Sequence, residues 1–389
     1  MPTLLLPTPN GNIEPYKTSD PVKFFDAPPS ELNRVAFSAA HVVADPLSNN
    51  EPWLKPSIDW EATLNYRRYL WGLGLGVAEA MDTAQRGMGL DWATSFELIK
   101  HSIDASKDFG GKALLACGAG TDHLDPNSVS SINTILDAYL EQCSAVEKVG
   151  GRIILMASRA LAACAQSADD YKFVYNRVLS QVSEPVIIHW LGEMFDPALE
   201  GYWGNKNHET AMSVCIDIIK ENKSKIDGIK ISLLDSQKEV AMRRLLPAGV
   251  RMYTGDDFNY PELIEGDEFG HSDALLGIFD AIAPAASSAL SALANGDVKG
   301  YRDILEPTVP LARHIFEPHT RFYKTGIVFL AYLNDLQDHF IMVGGQQSAR
   351  SLLHFVELFK LADNAGLLKD PTIATSRMTD FLKTYGIGN

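Results

Sequence analysis

From Arg34 onward the chain alternates between two patterns: short runs of β-branched and small apolar residues, and longer segments whose apolar positions recur with helical period. Eight of the short runs read as strands: RVAFSAAHVV (34–43), LGLGVAE (73–79), KALLACG (112–118), RIILMAS (152–158), PVIIHW (185–190), IDGIKIS (226–232), RMYTGDD (251–257) and SDALLG (272–277). Between them lie stretches such as IDWEATLNYRRYLWG, SVSSINTILDAYLEQCSAVEKVGG and HETAMSVCIDIIKENKSK. Several of these open with Ser, Asp or Pro and close with Gly or Asn, the residues that start and stop helices. Eight strand–helix pairs predict an α/β protein built as a closed (β/α)8 TIM barrel over residues 34–296. An open doubly wound sheet would need a glycine-rich phosphate loop entering its first helix. The nearest candidate, GLGLGVAE, puts its glycines within a strand and ends on acidic Glu79.

The flanks follow other patterns. Residues 1–33 are rich in proline and are expected to form an irregular N-terminal extension. Residues 297–389 contain no strand-like run and read as three or four amphipathic helices, a C-terminal helical region that caps the barrel or forms an oligomer surface. Its apolar stripe, including Ile327, Leu330, Leu333 and Leu336, exceeds what a closed barrel needs for cover, so a homo-oligomer is expected.

Composition narrows the function classes. A net charge of −15 over 389 residues repels phosphate backbones and anionic membrane surfaces, which excludes the ordinary modes of nucleic-acid and membrane binding. Cys117, Cys143, Cys164 and Cys215 lie too far apart in sequence for a zinc knuckle or a redox pair and are read as reduced thiols. The opening MPTLLLPTPNG lacks the length of a secretory h-region, and no long uncharged apolar run follows, so a soluble cytoplasmic protein is expected.

In barrels of this kind the chemistry sits at the C-terminal ends of the strands. Those ends carry His41, Glu79 with Asp82, Asp122 with His123, Ser158 with Arg159, His189 with Trp190, Lys230, and Asp256 with Asp257. Lys230 lies inside the apolar strand IDGIKIS. Desolvation there lowers an amine's pKa from about 10.4, and the unprotonated form attacks ketones and aldehydes; the alternative is a lysine paired to Asp227 or Asp257. Glu79 and Asp82 suit hydroxyls of a polyol, or the start of a helix. Trp190 suits a sugar face, and Arg159 a carboxylate or phosphate, unless it pairs with one of the many acids. His41 fits a site imidazole or a core histidine equally, and Asp257 fits a lysine partner or a turn cap.

The segment GIK, the following YTGDD, and the run IAPAASSALSALANGD with YKTG after it resemble the dihydrodipicolinate synthase and N-acetylneuraminate lyase superfamily, class I aldolases that use a Schiff-base lysine on the sixth strand. Lys230, Gly255 with Asp256, Pro284, and Gly296 with Asp297 fall at the matching positions. The resemblance is clearest over 226–330, weaker over 34–225, and points to a divergent, uncharacterised branch. It implies Lys230 as imine former and a substrate pocket that includes Gly255, Asp256 and Asp257. Two departures stand out. The superfamily's Gly-Thr-Thr-Gly-Glu loop, which holds the keto-acid carboxylate, is replaced by GVAEAMDTAQRG, and the proton-shuttling tyrosine of the fifth strand is replaced by His189. An imidazole can shuttle protons near neutral pH.

The leading expectation is a lyase or aldolase in which Lys230 forms an imine with a keto-acid or sugar-derived carbonyl substrate, with C–C or C–O bond cleavage or formation, and with neither cofactor nor metal. The alternative is a metal-dependent sugar isomerase, epimerase or class II aldolase with His41, Glu79, Asp82 and His189 as ligands, although no local ligand spacing such as His-x-x-x-His accompanies them. A non-catalytic binding barrel is a third reading.

Overall fold

The computed structural model describes residues 1–24, 31–81 and 85–388. Asp82 therefore lies outside the described residues. All eight expected strands are present and parallel: β3 (Ala36–Ser38), β4 (Gly76–Glu79), β5 (Leu115–Ala119), β6 (Arg152–Leu155), β7 (Val186–Leu191), β8 (Ile226–Ser232), β9 (Arg251–Thr254) and β10 (Asp273–Leu276). They pair in chain order, and β10 returns to β3 to close the barrel. The barrel encloses its own apolar layer, with Phe37, Ala78, Ala116, Ile154, Ile187, Tyr253 and Leu275 pointing inward. The residues between them point outward into a second core shared with the helices.

Helix starts follow the side-chain chemistry. Asp59, Asp91, Asn207 and Asp235 each accept a backbone N–H of the first turn, which satisfies donors that the helix cannot satisfy itself. The IAPAASSALSALANGD run is explained the same way. Pro284 sits in the first turn of the helix Ala283–Ala294, Gly296 takes the left-handed conformation (φ 78°) just past its end, and Asp297 caps the next helix through the Gly300 N–H at 2.8 Å.

Two expectations about the flanks need correction. The N-terminal segment is not irregular: β1 (Thr3–Pro7) and β2 (Ile13–Lys17) form an antiparallel hairpin that turns at Gly11. Leu4 and Leu6 are buried while Leu5 is exposed, and Tyr16 and the Ser19 backbone N–H both donate to the Asp363 carboxylate. The hairpin thus docks on the C-terminal helices Leu352–Asn364 and Pro371–Thr384.

The second correction concerns the helix Tyr323–Leu333, which is buried on nearly every side, with Ile327, Leu330 and Leu333 fully enclosed by the chain itself. The apolar stripe that suggested an oligomer is therefore mostly covered within one chain. Together with Val298–Leu305 and Val309–Ile315, five α-helices follow the barrel's last helix among the described residues. Cys117, Cys143 and Cys215 are buried, and all four cysteines are free thiols. No helix among the described residues is long and apolar enough to cross a membrane.

Candidate active site

Strand alternation decides which strand-end residues reach the inside of the barrel. On β7 and β8, His189 and Lys230 are register partners, and both line one small cavity with Met81, Leu191, Phe195, Ser232, Asp257, Gly277 and Tyr323. The cavity is about 10 Å³, room for roughly one water molecule. Lys230 is 7% exposed. Its stem passes directly beside Gly255: a Cβ on that glycine would stand 2.7 Å from Lys230 Cε and 2.2 Å from Ser232 Oγ. Gly255 therefore gives the lysine its space and has no side chain to offer a substrate.

His189 Nε2 lies 3.3 Å from Ser232 Oγ. Burial, reinforced by the positive charge of Lys230, pushes its pKa well below the ordinary imidazole value. The ring is neutral at pH 7. Asp257 is 3% exposed and accepts the Ile278 backbone N–H at 2.7 Å, which ties the loop after β9 to the loop after β10 while the carboxylate borders the cavity. Asp257 thus bonds the loop after β10, not the turn that follows it, and lines the same cavity as Lys230. Tyr323 and Ser232 were not singled out by sequence reasoning. Tyr323 comes from the C-terminal helical region, stacks on Phe316 with ring centroids 4.3 Å apart, and closes one side of the cavity. Ser232 sits two residues after Lys230 and so shares its face of β8.

Other expected site residues face elsewhere. Glu79 points outward between helices and is fully buried in an ion pair: Arg67 donates to its two oxygens at 2.8 and 2.9 Å, and Ser102 Oγ at 2.5 Å. No oxygen is left for a substrate hydroxyl. Trp190, one residue after His189, also points outward, against Trp203 and His208. It cannot cover a sugar in the barrel. His41 is fully buried, with Nδ1 3.0 Å from Asp280 and Nε2 3.1 Å from Gln337 Oε1, so it is a core histidine. Asp256 accepts the backbone N–H groups of Phe258 (2.8 Å) and Asn259 (3.0 Å) and the Asn259 amide, which makes it a turn former.

Arg159 pairs with Asp196 at 2.5 Å and borders a separate cavity of about 80 Å³ with Arg86, Thr121 and Asp122. In that cavity the buried Arg86 holds Asp122 through two hydrogen bonds of 2.5 and 3.1 Å. Among the described residues the two cavities share no lining residue, and Met81 borders one while Met156 borders the other. The residues considered as metal ligands do not converge either: His41 and Glu79 are committed to Asp280 and Arg67, away from His189.

The barrel is shared with solved structures of the dihydrodipicolinate synthase family. A dihydrodipicolinate synthase from Aquifex aeolicus superposes with a TM-score of 0.65 at 12% identity, covering 87% of this chain and 100% of that one. YagE, a prophage protein of the dihydrodipicolinic acid synthase family from E. coli K12 solved with pyruvate, gives 0.66 at 13%, covering 86% and 99%. The 4-hydroxy-tetrahydrodipicolinate synthase from Methylacidiphilum fumariolicum SolV gives 0.64 at 12%, covering 85% and 95%. No curated protein matches the sequence. The family match covers residues 4–387, nearly the entire chain, and the protein belongs to the family described as Protein of unknown function (DUF993).

Proposed function

We propose that the protein is a class I lyase or aldolase whose Lys230 forms an imine with a keto-acid or sugar-derived carbonyl substrate. The observation that carries this reading is the placement of an amine inside the barrel, in one cavity with a neutral imidazole, two hydroxyls and a carboxylate. The amine nitrogen adds to the carbonyl carbon, and the carbonyl oxygen leaves as water. The protonated imine then accepts the electron pair of the neighbouring bond as that bond breaks, which leaves an enamine; protonation at carbon and hydrolysis of the imine by water release the product and restore the Lys230 amine, and the reverse sequence forms the bond. Protons must reach and leave substrate oxygen and carbon as this happens. His189 is neutral and takes such a proton as general base, with Ser232 against its Nε2. The Tyr323 phenol on the cavity wall is a second group able to exchange a proton with the substrate. Asp257 sets the position of its loop and adds negative charge beside the iminium. Because the cavity holds only about one water, the substrate enters by displacing side chains, and Met81 and Tyr323 lie on its walls.

The test is turnover across a panel of keto acids and keto sugars. Lys230→Ala should lose all activity above background on any substrate the wild type converts, and undiminished turnover by that variant would overturn the reading.

A further inference from the structure

Away from the barrel mouth, three side chains with metal-binding atoms come together on the C-terminal helices. His314 lies on Val309–Ile315, Glu317 follows it by three residues, and His354 lies in the first turn of Leu352–Asn364. One ligand atom from each falls within 4.8 Å of the others. We infer that His314, Glu317 and His354 form a binding site for a divalent transition cation of the zinc type, held by two imidazoles and a carboxylate.

The hydrogen bonds around the cluster fix which nitrogens are available. His314 Nε2 faces the His354 carbonyl oxygen at 2.9 Å, which only accepts, so Nε2 carries the proton and the lone pair of a neutral ring lies on Nδ1. That Nδ1 stands 3.8 Å from Glu317 Oε2, an acceptor facing an acceptor, which suits a cation placed between them. His354 Nδ1 lies 2.9 Å from Glu317 Oε1 and donates to it, leaving the lone pair on Nε2, which is buried and has no hydrogen-bond partner among the described residues. A cation shared with Glu317 therefore uses Nδ1, the nitrogen that faces the carboxylate, with the ring proton moved to Nε2. The two rings stack with centroids 4.1 Å apart, and Glu317 is 43% exposed, which leaves a path from solvent. Two imidazoles and one carboxylate are a ligand set for zinc-type ions, with room for a water as fourth ligand.

Arg350 is the competing cation: its Nη1 is 3.8 Å from Glu317 Oε1. Its other end is bound to the carbonyl oxygens of Glu317 (2.8 Å), His319 (3.2 Å) and Ile315 (3.4 Å), so it braces the loop that carries Glu317. His314 and Glu317 flank Phe316, whose ring stacks on Tyr323 of the Lys230 cavity. An occupied site would therefore stiffen one wall of that cavity.

The experiment is calorimetric titration of the untagged, chelator-treated full chain with Zn2+, repeated with Co2+ to record ligand-field absorption. One equivalent should bind at micromolar or lower Kd, and bound Co2+ should show the intense absorption of a low-coordinate site. His314→Ala, at a half-buried position that leaves the fold intact, should weaken binding at least tenfold, as should Glu317→Gln. Wild-type protein that binds no ion, or binding unchanged in both variants, would overturn the inference.

Discussion

Burial of His189 beside the Lys230 amine keeps the imidazole neutral and predicts an acid limb of kcat displaced below the ordinary imidazole range near pH 6.5. His189→Phe should remove that limb and slow turnover about 10²–10⁴-fold, the usual range for general acid–base help; a pH–rate profile with the limb unchanged would contradict the shuttle role. Gly255→Ala sets a methyl 2.7 Å from both Lys230 Cε and the Ile231 carbonyl oxygen. It should cost about 1–3 kcal/mol of stability as overpacking and displace the amine, which kcat and thermal melting together will register. Glu79→Gln tests the correction to the site. Leaving Arg67 buried and uncompensated should cost about 3–5 kcal/mol, seen as a lower Tm, with KM unaffected. At this scale the sequence was legible where strand context named a residue type, as with Lys230 and His189. The failures at Glu79 and Trp190 came from the two-residue alternation, since a strand end offers both faces and only one enters the barrel. Tyr323 was beyond reach because its place at the cavity depends on how a distant helix folds back over the barrel mouth.

The secondary structure was more legible than the site because the strands are nearly continuous apolar runs between capped helices. The apolar pattern of the first strand runs as far as Val43, but the strand pairs only over Ala36–Ser38. Residues 39–43 stay buried after leaving the ladder, and His41 turns aside to the Asp280 carboxylate, so burial alone prolonged the pattern. The N-terminal hairpin was missed because Pro7 and Pro15 interrupt it; both fit a two-stranded ribbon, where edge positions need no backbone N–H. The hairpin yields its own prediction. Leu6 is 1% exposed under the C-terminal helices, and Leu6→Ala should cost about 2–5 kcal/mol, measured by denaturant unfolding. A loss below half a kcal/mol would mean the hairpin adds little to the fold.

For the whole molecule, stability should depend on pH through two buried groups of opposite sign. Burial raises the pKa of Glu239, held by Thr254 and Ser272, to about 8. The folded state thus retains a proton that the unfolded chain gives up from about pH 4.5, and stability from this group falls as pH rises toward 8. At about 1.4 kcal/mol per pKa unit the loss is several kcal/mol. Glu239→Gln should abolish that decline, so its Tm should gain on the wild type between pH 5 and 8 and level off above; a pH-independent difference would contradict this. His189 acts in the other direction: its folded pKa lies below the unfolded value, so its contribution is present above about pH 6.5 and lost as pH falls. The measurement that bears most directly on the proposed chemistry is the intact mass of the protein after incubation with each carbonyl substrate and borohydride. The wild type should gain the mass of one reduced imine, mapped to the peptide containing Lys230, with no gain in Lys230→Ala; a substrate turned over without any trapped adduct, or an adduct that persists in Lys230→Ala, would contradict it.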